Sequence, residues 1–145
     1  MNVKKIILLF YGFIALVLSL LMGIGFFGYS VDHLNYESAY DLITEEYYFD
    51  ESRFELGFLL IIKFFKVVFD VTFLQLTGIF AFFTLWAKYF YLSQFKSFLL
   101  PLIFTVCFFV VHEFTQIRMS IALSLVLIGL YFHARNAKKS AYVLM

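Results

Sequence analysis

The sequence predicts an all-α integral membrane protein, with four transmembrane helices and one interfacial amphipathic helix after an acidic outer loop. Three observations carry this expectation. Of the 145 residues, 63% are hydrophobic and only 14% are charged, against roughly 45–50% and about 25% in an ordinary soluble domain. The apolar residues gather in runs long enough to cross ~30 Å of hydrocarbon. A single proline leaves those runs free to form uninterrupted helices. The net charge of +1, with lysines scattered between apolar runs, argues against a nucleic-acid partner. The lone Cys107 offers neither a disulfide framework nor a thiolate metal cage.

The first run, residues 6–28, carries no charge and follows Lys4 and Lys5. It is too long for a signal peptide, and its end at Phe26-Phe27-Gly28-Tyr29 is too bulky for a cleavage site. It reads as a retained span with a cytoplasmic N-terminus. Residues 29–53 form the outer loop, rich in Asp and Glu, with Arg53 as its strong base. Scarcity of Lys and Arg marks a translocated segment.

Residues 54–69 would give only ~24 Å of helix and include Lys63 and Lys66. Glu55, Leu59, Lys63, Lys66 and Asp70 follow at helical spacing opposite a Phe/Leu/Ile face. This is the pattern of a helix lying along the interface, its lysines reaching towards headgroups. Residues 71–92, 98–114 and 117–134 read as the remaining spans, with a tight turn over His112–Arg118. In this arrangement Lys4, Lys5, Lys88, Lys96, Arg135, Lys138 and Lys139 are all cytoplasmic. Five spans with the N-terminus outside is the competing topology; it exports Lys4 and Lys5 and buries Lys63 in lipid. No span is expected to carry an ionisable group near its midpoint, which disfavours a transporter. The chain is expected to be either the N-terminal portion of a longer membrane protein or a small subunit.

Three polar groups then share the outer face: Asp32, the helix start at Arg53 and Glu55, and the turn holding His112, Glu113, Gln116 and Arg118. A guanidinium and carboxylates beside the hydrocarbon edge suit a lipid-linked substrate. The planar fork of an Arg pairs with a diphosphate, and a carboxylate within reach of a sugar hydroxyl serves as general base. Plainer readings stand beside these. Arg118 also reads as an interfacial anchor paired with Glu113, and His112 as a headgroup contact. Tyr29, Tyr36, Tyr40, Tyr47 and Tyr48 read as an aromatic belt, with sugar stacking as the sharper use of Tyr36. Most of the loop acids read as solvation, without the fixed spacing of a metal loop.

Gly28-Tyr29-Ser30-Val31-Asp32, then Asn35-Tyr36 and Tyr40, then Phe54-Glu55-Leu56-Gly57-Phe58, and finally Ile117-Arg118 with Ile121-Ala122 resemble, in order and spacing, the Wzy/EpsG family of bacterial polysaccharide polymerases. The resemblance covers the N-terminal part of that family's pattern. It implies an inner-membrane glycosyltransferase that joins polyprenyl-diphosphate-linked oligosaccharides, without cofactor, nucleotide sugar or metal. A flippase and a chain-length regulator are the implied protein partners. Asp32, Glu55 and Arg118 match the family's recurring polar positions, with Arg118 the candidate for holding diphosphate. One departure is Met119, where the family usually has Gln; here Gln116 lies on the other side of the Arg. The alternative from another class is a non-catalytic small membrane subunit of a polysaccharide assembly or export complex.

Overall fold

The computed structural model describes residues 3–27, 31–44, 54–109 and 116–143. Among the described residues it is helical, with no strand. The helices are α1 (Val3–Gly23), α2 (Val31–Leu42), α3 (Leu56–Phe69), α4 (Phe73–Leu92), α5 (Leu99–Phe108) and α6 (Ile117–Val143), and a 3-10 turn over Ser93–Phe95 follows α4. Among the described residues, three stretches are long and apolar enough to cross a membrane: Val3–Gly23, Phe73–Phe95 and Ile117–Asn136. The ten residues of α5 are apolar but short, and residues 110–114 of the expected span 98–114 lie outside the described residues.

Helices α1 and α4 run antiparallel along their whole length. At one end Lys4 Nζ donates to Gln94 Oε1 at 3.0 Å, and Tyr11 donates to the Phe98 carbonyl at 2.6 Å. At the other end the backbones nearly touch. A Cβ built on Gly78 would fall 2.8 Å from the Ser19 carbonyl oxygen and 3.0 Å from Gly23 Cα. Lipid tails are as apolar as leucine, so helices there associate through close van der Waals packing, which small residues permit. Ile7, Tyr11, Ala15 and Met22 of α1 fill the seam with Ala81, Leu85 and Tyr89 of α4, and Phe109 closes it. Pro101 sits in the first turn of α5, where its missing N–H costs no helical bond.

This antiparallel pair fixes the path between its members. The chain leaves α1 and enters α4 at the same end of the bundle, so α2 and α3 are both accommodated there. The acidic segment 29–53 is therefore not only a loop, because α2 lies within it. His33, Tyr36, Tyr40 and Ile43 recur every three or four residues and are all buried, an amphipathic stripe that holds α2 against α3 and α4. Ile43, Leu59 and Ile62 are at most 1% exposed; burying each from water contributes about 1.5–3 kcal/mol.

Helix α3 starts at Glu55, its N-cap, and stops at Asp70, which adopts the left-handed conformation at φ 49°. Thr72 and Gln75 then form a capping box that opens α4. Two expectations change here. Lys66 does not reach for headgroups: its Nζ donates to the Tyr40 carbonyl at 2.7 Å and the Asp41 carbonyl at 3.1 Å, so it caps the C-terminal end of α2. Tyr36 and Tyr40 are not a lipid-facing belt but core residues, 6% and 7% exposed. Tyr40 also donates to the Val71 carbonyl, tying α2 to the α3–α4 link. Tyr29, Tyr47 and Tyr48 lie outside the described residues.

Lys88, expected on the cytoplasmic side, is completely buried in the bundle four residues before the end of α4, and its Nζ donates to Ser120 Oγ at 2.7 Å. The long aliphatic stem reaches back along α4, and the ammonium meets a hydroxyl in the first turns of α6. Ser124 Oγ continues the seam to the Ser120 and Thr84 carbonyls. Beyond it, α6 runs parallel to α4, bringing the Tyr131 ring to 4.9 Å from Phe90.

Candidate functional site

The start of α3, the middle of α2 and the start of α6 converge at the end of the bundle where α1 finishes. Arg118, the second residue of α6, donates from NH1 to both Glu55 carboxylate oxygens, at 2.7 and 2.6 Å. Its Nε donates to the Tyr36 hydroxyl at 3.2 Å. The guanidinium carbon lies 5.1 Å from the Phe54 ring centre and 5.7 Å from that of Tyr36, within reach of cation–π attraction. Tyr36, Phe54 and Phe58 pack ring against ring beneath it.

Each partner is placed by local sequence. Tyr36 comes from the buried stripe of α2. Glu55 is the N-cap of α3, yet its carboxylate does not bond to its own helix; its carbonyl takes the Phe58 and Leu59 amides instead. The side chain is thus left for Arg118. Arg118 is positioned by the first turns of α6, where Ser120 N–H bonds to the Gln116 carbonyl at 3.0 Å while Lys88 holds the Ser120 hydroxyl.

The pair is accessible: the Glu55 side chain is 69% exposed and that of Arg118 36%. The Arg118 guanidinium holds the Glu55 carboxyl below the usual carboxylate range, aided by a bond from its own backbone N–H. A carboxylate so engaged is a weaker proton acceptor and a firmer anchor. Glu55 and Tyr36 engage NH1 and Nε, and the NH2 donors of Arg118 have no described partner. Around them opens a cleft of about 760 Å³, lined by Tyr36, Glu55, Phe58, Gln116, Arg118 and Met119 among others. A divergent set of N–H donors on a fixed cation, beside aromatic faces, can hold an anionic group and pack a sugar.

Of the candidate residues read from the sequence, Tyr36, Glu55, Gln116 and Arg118 line this one cleft. Asp32 lies on α2 one turn before Tyr36. Arg53, His112 and Glu113 fall outside the described residues; the described ion pair of Arg118 is with Glu55. Phe54 and Lys88 escaped the sequence reasoning. Phe54 looked like the first residue of an apolar run, and Lys88 like an anchor at a span end. The signal for Lys88 was its position four residues inside the end of α4, facing Ser120 and Ser124 at i, i+4 spacing on α6. Among the described residues no cluster of His, Cys, Asp and Glu is arranged to hold a metal.

The profile of the EpsG family matches residues 9–145 of the chain. No curated protein and no solved structure matches it.

Proposed function

Because the chain belongs to the EpsG family, and so is a multi-pass membrane protein of polysaccharide synthesis, we propose that it is a polysaccharide polymerase. In this reading it joins polyprenyl-diphosphate-linked repeat units in exopolysaccharide, capsule or O-antigen synthesis. The observation that carries the reading is the anchoring of Arg118 by Glu55 and Tyr36, which leaves guanidinium donors facing an open cleft.

The acceptor sugar hydroxyl attacks the anomeric carbon of the donor glycan. The new glycosidic bond forms as the bond from that carbon to the diphosphate oxygen breaks, and polyprenyl diphosphate leaves with the bonding electrons. Arg118 stabilises the negative charge that grows on the leaving group. Glu55 orients Arg118, and Asp32 or Glu55 assists the acceptor by taking its proton. Arg53, His112 and Glu113 complete the substrate-binding set, with Tyr36 and Gln116 against the sugar.

The membrane arrangement that goes with this reading has four crossings, residues 98–114 being the fourth, with α3 along the outer interface and a cytoplasmic N-terminus. Lys4, Lys5, Lys96 and Arg135 then lie on the cytoplasmic side of a bacterial inner membrane. A flippase supplies the lipid-linked unit and a chain-length regulator sets when polymerisation stops.

The test is polymer synthesis in a deletion strain complemented with the gene carrying Arg118→Ala, Arg118→Lys or Glu55→Ala. Loss of long polymer with Arg118→Ala, and partial retention with Arg118→Lys, is the expected outcome. Unchanged polymer length and yield in both alanine variants would overturn the reading.

A further inference from the structure

A second cavity, about 470 Å³ in volume, adjoins the Arg118 cleft and shares Ile61, Ile121 and Leu125 with it. It runs between α4 and α6, from Phe80 past Ala87 to Phe90 on one wall and from Ile121 to Phe132 on the other. Its walls are almost entirely apolar. The two hydroxyls that reach it are satisfied internally: Thr84 donates to the Phe80 carbonyl, and Ser124 to the Ser120 and Thr84 carbonyls. An apolar ligand there leaves no donor stranded.

The polar end chooses the occupant. The channel opens beside a guanidinium with donors to spare, so a molecule spanning both cavities has an anionic head and one long apolar chain.

We propose that the α4–α6 groove holds the first isoprene units of a polyprenyl diphosphate whose diphosphate sits at Arg118. This rests on the polymerase reading above and adds to it the place of the lipid chain. The polyisoprenoid enters sideways from the bilayer, packs along Phe83, Ile128 and Phe132, and presents the scissile bond at the cleft mouth. The groove thereby sets how deep the diphosphate sits relative to Arg118.

The experiment uses membranes containing the full chain and a prenyl diphosphate carrying a benzophenone at its chain end. Ultraviolet labelling is expected on α4 and α6 near Phe83 and Ile128, competed by unlabelled polyprenyl diphosphate and unaffected by added phosphatidylglycerol. Ile128→Trp, which fills the groove away from Arg118, is expected to raise KM for the lipid-linked unit about tenfold with little change in kcat. Labelling outside α4 and α6, or equal competition by phosphatidylglycerol, would make this an ordinary lipid-filled crevice and overturn the proposal. Ile128→Ala, which widens the groove without crowding it, serves as the folding control and is expected to keep the labelling pattern. Wild-type labelling of Ile128→Trp, with Arg118→Ala still inactive, would sink the groove assignment alone. Normal polymer from both Arg118→Ala and Glu55→Ala would sink the polymerase reading, and the labelling map would still decide what the groove holds.

Discussion

Arg118 and Glu55, 63 residues apart in the chain, meet with NH1 2.6 Å from one carboxylate oxygen. The contact joins the first turn of α6 to the cap of α3, and Tyr36 on α2 completes it. Three helices thus converge on one guanidinium. If that convergence serves catalysis, Arg118→Ala lowers polymerisation about a hundredfold or more. Arg118→Lys, which keeps the charge but loses the fork, falls between that value and wild type. Radiolabelled polymer resolved by gel checks both.

The pH dependence follows from Glu55. Its carboxyl in the folded protein titrates below its unfolded value because Arg118 favours the ionised form. Any stabilisation it contributes is therefore present above the unfolded value and lost as pH falls through the lower, folded one. Loss of the contact on acidification is expected at a pH below the ordinary glutamate range, and Glu55→Gln is expected to remove that step. Infrared carboxylate bands of the two proteins across the acid range decide it.

Gly78 and Gly129 make a contrasting pair. Alanine at Gly78 drives a methyl into the backbone of α1, whereas a Cβ at Gly129 meets nothing within 4 Å. Gly78→Ala is expected to cost about 1–3 kcal/mol, and Gly129→Ala nothing measurable or a slight gain. Thermal unfolding in detergent, read by the loss of near-ultraviolet dichroism, compares the two.

Lys88 and Ser120 are expected to couple. In a double-mutant cycle with Lys88→Met and Ser120→Ala, the interaction energy should fall near ~0.6–1.7 kcal/mol, the range of side-chain hydrogen bonds within membranes. Removing Lys88 should also loosen Arg118, since the hydroxyl it holds lies two residues beyond the guanidinium. A null coupling, with wild-type polymer from Lys88→Met, would separate the seam from the site.

Membrane orientation is open to cysteine labelling. Phe95, in the turn after α4, is exposed, whereas its neighbour Ser93 is buried and unsuited to a probe. In a Cys107→Ser background, Phe95→Cys is expected to react with a membrane-impermeant maleimide only after the cells are opened. Labelling from the outside of intact cells would invert the topology and remove the Arg118 cleft from the outer face.

Much of this architecture was legible in the sequence because lipid imposes a length and a charge rule on any span. Val3–Gly23, Phe73–Phe95 and Ile117–Asn136 stand out on those grounds alone, and so does the helix over 56–69, whose lysines and acids recur at helical spacing. Helix α2 was obscured. Its buried stripe is built of His33, Tyr36 and Tyr40, residues whose polar atoms lower the apparent hydrophobicity although their rings pack like core. Lys66 was misread for a related reason: spacing identifies the face of a helix but not what covers it, and what covers it is the carbonyl end of α2. At the site, spacing and charge brought Glu55 and Arg118 to one surface. The bond between them, and the aromatic floor of Tyr36, Phe54 and Phe58, needed coordinates, because spacing does not say which faces of the helices gathered at one end of the bundle meet.

The long reach of the Glu55–Arg118 bond also bears on biogenesis. When α3 leaves the ribosome its docking residue on α6 has not yet been synthesised, so the cap of α3 stays unclasped until translation passes Ser120. Assembly of the cleft accordingly waits for the start of α6, and a nascent chain arrested before Gln116 would carry the carboxylate without its cation.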